Sequence, residues 1–151
     1  MGSDASRGGN DFGVREGQQL LADVFAPWVQ ELGLKVASVG ASVSTFTMPG
    51  GARFVRSGGA GGGVICGQAV SAAADTASVV ALSGLNGRFR ACTTVDQTVH
   101  FMRPLPDGEV EIRVEALSNG RRMAVTRVEF RPAGSDKVGA AATCAFAYLE
   151  D

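Results

Sequence analysis

Two stretches of the chain carry apolar residues at the spacing of a helix. Between about residues 16 and 32, apolar positions recur with a 3.6-residue period, at Leu20, Leu21, Val24, Phe25, Trp28, Val29 and Leu32. Pro27 lies inside this stretch and predicts a kink, because proline removes one backbone donor, and Gly33 is placed to end the helix. Residues 67–82 are rich in alanine and hold no proline, which predicts a second helix with a small apolar face.

Most of the remaining chain has the alternating pattern of half-buried strands. Residues 34–48 predict one bent strand or a hairpin, and residues 53–56 predict a short strand that leads into a glycine loop. Four further strands are predicted at residues 91–102, 109–117, 122–131 and 137–149. In the first of these four, one face is expected to carry Val95, Val99 and Phe101, and the other Thr94, Asp96, Thr98 and His100.

These elements predict a single domain of the α+β class. The chain has 151 residues, which suits one domain with a core of its own. Residues 1–14 are polar and glycine-rich and predict a flexible tail, so the domain is expected over residues 15–151. One antiparallel sheet with a helix across one face leaves its other face to be covered, and a dimer is therefore expected.

Charge and cysteine usage exclude several kinds of partner. The 14 basic and 15 acidic residues give a net charge of −1, so neither nucleic acid nor a membrane surface is expected as a partner. No stretch approaches the roughly 18 apolar residues of a membrane-spanning helix. Cys66, Cys92 and Cys144 are too widely spaced for a disulfide framework or a zinc site. We therefore expect reduced thiols, a cytoplasmic protein and no metal.

Asp75 is the residue that most directly indicates chemistry. It is the one ionisable side chain between Gly67 and Leu82, and small apolar residues surround it in the sequence. A buried carboxylate is costly unless it has a partner, and such groups cluster at functional sites. The alternative is a solvated aspartate on the outer face of the helix.

The glycine-rich segment before this helix is a second candidate for function. Gly61, Gly62 and Gly63 lead to Gly67, at the predicted helix start. Unpaired N–H groups there can hold a phosphate, or the oxyanion that forms in acyl transfer. The segment lacks the Gly-Lys-Ser/Thr sequence of a P-loop. A flexible surface loop is the alternative.

Three segments resemble motifs of hotdog-fold acyl-CoA thioesterases of the phenylacetate-degradation type. Cys66-Gly67-Gln68, with Asp75 nine positions after Cys66, resembles the family's His-Gly-Gly … Leu-Asp-x-Ala pattern. Residues 93–104 resemble its (S/T)-V-D-x-x-V-x-F-x-R-P strand, and residues 118–121 resemble its Gly-Arg/Lys hairpin. The resemblance covers about residues 16–150 and implies a hotdog fold, in which an antiparallel sheet wraps around a central helix.

The same resemblance implies an acyl-CoA thioesterase and a role for each matched residue. Asp75 would be the nucleophile or general base, the Gly67 N–H the oxyanion donor, and Thr94 the residue that positions the water or the carboxylate. The substrate would contact Cys66, Gln68, Asn119, Gly120, Arg121 and Arg122, the last four at the phosphates of coenzyme A. The resemblance further implies an acyl- or aryl-CoA substrate, no cofactor, and a homodimer that associates into a homotetramer.

Two positions depart from the family's pattern. Cys66 stands where the family has histidine, and Ala60, seven residues before Gly67, stands where it usually has Asn or Gln. Gln68 can supply an amide in place of the missing one. A hotdog protein that binds an acyl-CoA or another apolar ligand without turnover is therefore the alternative function.

Overall fold

The computed structural model describes residues 11–150, which form one six-stranded antiparallel sheet and three α-helices. The helices are α1 (Val14–Asp23), α2 (Pro27–Gln30) and α3 (Gly67–Asn86). The strands are β1 (Lys35–Val39), β2 (Val43–Met48), β3 (Cys92–Phe101), β4 (Val110–Asn119), β5 (Met123–Pro132) and β6 (Ala140–Tyr148). Their order in the sheet is β1-β2-β4-β5-β6-β3, so β3 lies at one edge, beside β6.

The core lies between the sheet and α3, which packs against β2, β3, β4, β5 and β6. Strands β4, β5 and β6 each bury alternate residues, as their sequences predict. Ala73, Ala74 and Ala77 of α3 are fully buried, and their small side chains let the sheet come close to the helix. The predicted α+β fold, with the sheet wrapped around a small-residue helix, is confirmed.

Proline and glycine residues mark the ends of the helices. α1 ends at Asp23 and Pro27 is the first residue of α2, so the predicted single helix over 16–32 is two helices. Proline fits this first position because the missing N–H has no partner there in any helix. Gly33 follows α2 with a φ of +69°, and Gly87 ends α3 with a φ of +74°.

The segments before and between the main elements correct two further expectations. Residues 34–48 form a hairpin, but residues 52–54 form one turn of 3₁₀ helix where a short strand was expected. Of the tail expected over residues 1–14, residues 1–10 lie outside the described residues. Phe12 is buried in the core, so the packed domain begins before residue 15.

A β-bulge at Val95 determines which residues of β3 face α3. Thr94 is paired with Phe146 and Gln97 with Cys144, and Val95 is the extra residue between them. Directly opposed residues of neighbouring strands lie on the same face, and both partners on β6 are buried towards α3. Thr94 and Gln97 therefore share one face, although residues three apart point in opposite directions in a regular strand.

This bulge makes the predicted division of β3 wrong at one residue. Thr94 shares its face with Val99 and Phe101, and Asp96, Thr98 and His100 lie on the opposite face.

Between residues 11 and 150, no helix combines the length and apolar character needed to cross a bilayer.

Candidate active site

Asp75 lies where α3 meets β3, and its side chain is half-buried. The Thr94 hydroxyl donates a hydrogen bond of 2.5 Å to Oδ1 of Asp75. The bulge in β3 makes this contact possible, because it turns Thr94 towards the helix. A strand residue thus holds the helix carboxylate in one orientation.

A cleft of about 550 Å³ opens beside Asp75. Its lining comes from α2, α3 and β3 and consists of Trp28, Gly67, Gln68, Ser71, Ala72, Asp75, Gln97 and Phe101. Two aromatic rings and three polar side chains therefore surround the carboxylate. The alternative of a fully solvated aspartate on an outer face does not hold.

Gly67 begins α3 at the other end of this cleft. Cys66 precedes it as the N-cap residue and makes no side-chain capping bond, so no cap side chain covers the helix start. A Cβ added to Gly67 would lie 3.1 Å from Cζ of Phe101, so glycine lets the ring approach the helix. Gly67 and Asp75 are eight residues apart, or roughly 12 Å along the helix axis. One chain therefore does not bring both groups to a single carbonyl.

A second cleft, of about 440 Å³, meets the first at Gly67 and Phe101. Its wall is mostly apolar, and two arginines, Arg56 and Arg103, also line it. The glycine segment bounds this cleft at Gly61. The backbone N–H of Arg56 donates to the Val64 carbonyl over 2.9 Å, so hydrogen bonds close the loop at its base.

The side chain of Asn119 contacts protein and not a cleft. Its Nδ2 donates to Oδ1 of Asn86 over 2.7 Å, and its Oδ1 accepts from the Tyr148 hydroxyl over 2.5 Å. These bonds join the β4–β5 hairpin to the last residue of α3. The amide of Asn119, expected at the substrate, is thus already occupied.

The rest of the hairpin is held by Arg90, which is largely buried. Its Nη2 donates to the Arg121 carbonyl over 2.7 Å, and its guanidinium lies 3.6 Å from the centroid of the Tyr148 ring. The side chains of Arg121 and Arg122 are exposed and line neither of the two clefts at Gly67. In one chain, Gly120, Arg121 and Arg122 therefore lie apart from Asp75.

The three cysteines are free thiols, with Cys144 buried and Cys66 and Cys92 half-buried. Burial raises the pKa of Cys92, and the negative charge of Asp75 raises it further, against the opposing charge of Arg90. Burial also raises the pKa of Cys144. Within residues 11–150, no group of three or more His, Cys, Asp and Glu side chains is arranged to hold a metal ion.

Sequence reasoning did not assign Trp28, Gln97 or Phe101 to the site. Trp28 lies in the short α2, whose separation from α1 the helical pattern does not reveal. Gln97 lies on the face of β3 that carries Val99 and Phe101, towards α3. Strict alternation also places Gln97 on this face, but one amide between apolar positions does not by itself indicate a site.

Comparison with known proteins places the chain in a family. The family model described as acyl-CoA thioesterase N-terminal domain matches residues 53–147, which is more than half of the chain. No curated protein matches the sequence. Conserved protein PA5202 from Pseudomonas aeruginosa is 29% identical with a TM-score of 0.72, and the match covers 83% of this chain and 95% of that one.

Two further solved structures have the same fold. A mutant of phenylacetic acid degradation protein PaaI from Thermus thermophilus is 26% identical, with a TM-score of 0.68 and coverage of 82% and 100%. Thioesterase HI1161 from Haemophilus influenzae is 21% identical, with a TM-score of 0.77 and coverage of 91% and 90%. The chain thus has a hotdog fold and belongs to the acyl-CoA thioesterase family, whose members are thioester hydrolases.

Proposed function

We propose that this protein hydrolyses the thioester of an acyl- or aryl-CoA in the cleft beside Asp75. The observation that carries the proposal is the hydrogen bond from Thr94 to Oδ1 of Asp75. It leaves Oδ2 of the same carboxylate without a hydrogen bond from any described residue. Oδ2 is then free to attack a thioester, or to take a proton from water, within the cleft.

The reaction has two forms, which differ in what attacks the carbonyl carbon. As a general base, Asp75 takes a proton from water, and the water oxygen forms the new bond to carbon. As a nucleophile, the Asp75 oxygen forms that bond and water then hydrolyses the acyl-aspartyl anhydride. In both forms the C–S bond breaks, the thiolate takes up a proton, and one water is consumed.

The oxyanion that forms in this reaction belongs at the start of α3. The Gly67 N–H lies at the positive end of a 20-residue helix, where a negative oxygen is stabilised. Cys66 and Gln68 flank Gly67 and lie beside the thioester in this assignment. The phosphates of coenzyme A are assigned to Arg121 and Arg122, which have the exposed charge that phosphate contacts need.

We infer that two copies of the chain build each site, because roughly 12 Å separates Gly67 from Asp75 along one helix. Two antiparallel α3 helices across a two-fold axis bring Gly67 of one copy beside the carboxylate of the other. Mixing inactive Asp75→Ala and Gly67→Pro chains tests this arrangement. Folded, exchanged heterodimers should recover up to half of the wild-type activity, and no recovery in demonstrated heterodimers would contradict a shared site.

A panel of acyl-CoA and aryl-CoA thioesters, read with a thiol-detecting reagent, tests the proposed activity. Release of free coenzyme A from at least one thioester, with turnover proportional to protein, is the expected result. The replacement of the family's histidine by Cys66 favours one other outcome, binding without turnover. Saturable binding with no thiol released from any member of the panel would contradict hydrolysis and support that alternative.

A further inference from the structure

We propose that Gln97 orients the water that attacks the thioester, and that Asp75 therefore acts as a general base. The inference rests on the proposed function and deepens it, since it selects one of the two reactions above. It is carried by the way the Gln97 amide is anchored beside Asp75.

The nitrogen of the Gln97 amide is fully engaged by the protein. Nε2 donates to the Ser71 carbonyl over 2.9 Å and to Sγ of Cys144 over 3.5 Å. An amide nitrogen has two hydrogens, so both are used. Because the Ser71 carbonyl can only accept, these bonds also fix which end of the amide faces α3.

The oxygen of the same amide has no partner in the described part of the protein. Oε1 of Gln97 has no hydrogen-bond partner among residues 11–150. Among the residues of this range that are at least partly buried, Nε of Arg131 is the one side-chain nitrogen or oxygen that is both fully buried and without a hydrogen-bond partner. Oε1 of Gln97 also lacks a partner there, so this oxygen is accessible to solvent. Gln97 lines the same cleft as Asp75.

Gln97 and Thr94 contact two successive turns of α3. Gln97 bonds to the carbonyl of Ser71, and Thr94 bonds to the side chain of Asp75, one turn further along the helix. Thr94 occupies Oδ1 of the carboxylate, which leaves Oδ2 as the oxygen that can accept a proton. Oδ2 of Asp75 and Oε1 of Gln97 are thus two acceptors without a partner among residues 11–150, on side chains that line one cleft.

Two such acceptors suit an attacking water. One hydrogen of the water is directed to Asp75, which removes it, and the other to Gln97, so a lone pair on the oxygen points away towards the carbonyl carbon. The water oxygen bonds to carbon, Asp75 takes the proton, and the C–S bond then breaks with that proton returned to the thiolate. A nucleophilic Asp75 has no use for the second acceptor at the attacking step.

The anchor beneath Gln97 is rigid enough for this role. Cys144 is fully buried, and the Ser71 carbonyl belongs to the backbone of α3. A side chain bonded to a helix backbone and to a buried thiol loses little further freedom when it binds water.

The Gln97→Met variant tests the proposal, because methionine keeps the length of the side chain and removes the amide with its acceptor oxygen. We expect kcat to fall at least about tenfold, as for the loss of one hydrogen bond in the transition state, with KM changed less than about twofold. Thr98→Val is the matched control: it removes a polar group from the face of β3 turned away from α3, and kcat should stay within about twofold.

Competition between water and hydroxylamine for the thioester distinguishes a role of Gln97 in orienting water from a purely structural role. Hydroxylamine attacks through nitrogen to give a hydroxamate and coenzyme A, and it does not depend on an oriented water. Gln97→Met should raise the enzymatic ratio of hydroxamate to acid at least about threefold. An unchanged kcat, or a lowered kcat with an unchanged ratio, would overturn the proposal.

Two further outcomes are also decisive. If neither protein forms a hydroxamate enzymatically, the split between kcat and KM of Gln97→Met decides. A kcat lowered at least about tenfold with KM changed less than about twofold supports the proposal, and a rise in KM as large as the fall in kcat would overturn the role of the oxygen. A wild-type protein inert on every thioester contradicts the proposed function itself, whereas an active wild type with an equally active Gln97→Met contradicts the role of Gln97 alone.

Discussion

The hydroxyl of Thr94, on β3, donates a 2.5 Å hydrogen bond to the carboxylate of Asp75, on α3. In a thioesterase this bond orients the carboxylate, and hydrogen bonds to charged groups contribute about 1.5–3 kcal/mol. Thr94→Val should therefore lower kcat by about tenfold or more in steady-state hydrolysis of an acyl-CoA.

Thr93→Val is the matched control for this change. It removes the same hydroxyl from the neighbouring residue, which is exposed and pairs with Ala147. Its kcat should remain within about twofold of wild type. Equal losses from the two variants would show that the effect comes from β3 as a strand and not from the bond to Asp75.

Cys92 reports on the charge of Asp75 without any substrate. The carboxylate contributes to the raised pKa of the Cys92 thiol, so Asp75→Asn should lower that pKa. Because the thiolate is the reactive form, iodoacetamide should alkylate Cys92 faster in the variant than in wild type at about pH 8. Peptide mass spectrometry measures the rate, with the Cys66 peptide of the same sample as reference. An equal or slower reaction of Cys92 would contradict a charged Asp75 beside it.

The two exposed arginines of the β4–β5 hairpin should affect binding more than turnover. Arg121→Ala or Arg122→Ala is expected to raise KM for acyl-CoA several-fold with kcat within about twofold, because phosphate contacts bind ground and transition states alike. The effect should shrink at high salt. An N-acetylcysteamine thioester, which lacks the phosphates, serves as control and should react equally with all three proteins. Unchanged KM values for acyl-CoA would remove the hairpin from the site.

Much of the fold follows from local patterns in the sequence. Alternation in β4 and β5 predicts their buried faces, since a central strand with one face on the core has few other choices. The alanine-rich run predicts α3, although the helix continues to Asn86, where Gly87 stops it. The separation of α1 from α2 is less evident, because Pro27 suits both a kink and a helix start.

The site itself was only partly predictable. Its charge within an apolar helix makes Asp75 a candidate, and Thr94 becomes one only through the family resemblance. The contact of Thr94 with Asp75 depends on a bulge in the pairing of β3 with β6, and this bulge leaves no local mark in the sequence of either strand. The contacts of Asn119 with Asn86 and Tyr148 join residues far apart in the chain, so no local pattern could reveal that its amide is occupied.

The turnover of Asp75→Asn on an acyl-CoA that the wild type hydrolyses is the decisive measurement for Asp75 as the catalytic carboxylate. Asparagine keeps the shape of the side chain and can still accept the Thr94 hydrogen bond, but it loses both basicity and nucleophilicity. We expect a kcat at least roughly 100-fold lower, with an unchanged fold by circular dichroism. A folded Asp75→Asn protein with the kcat of the wild type would rule out a catalytic Asp75.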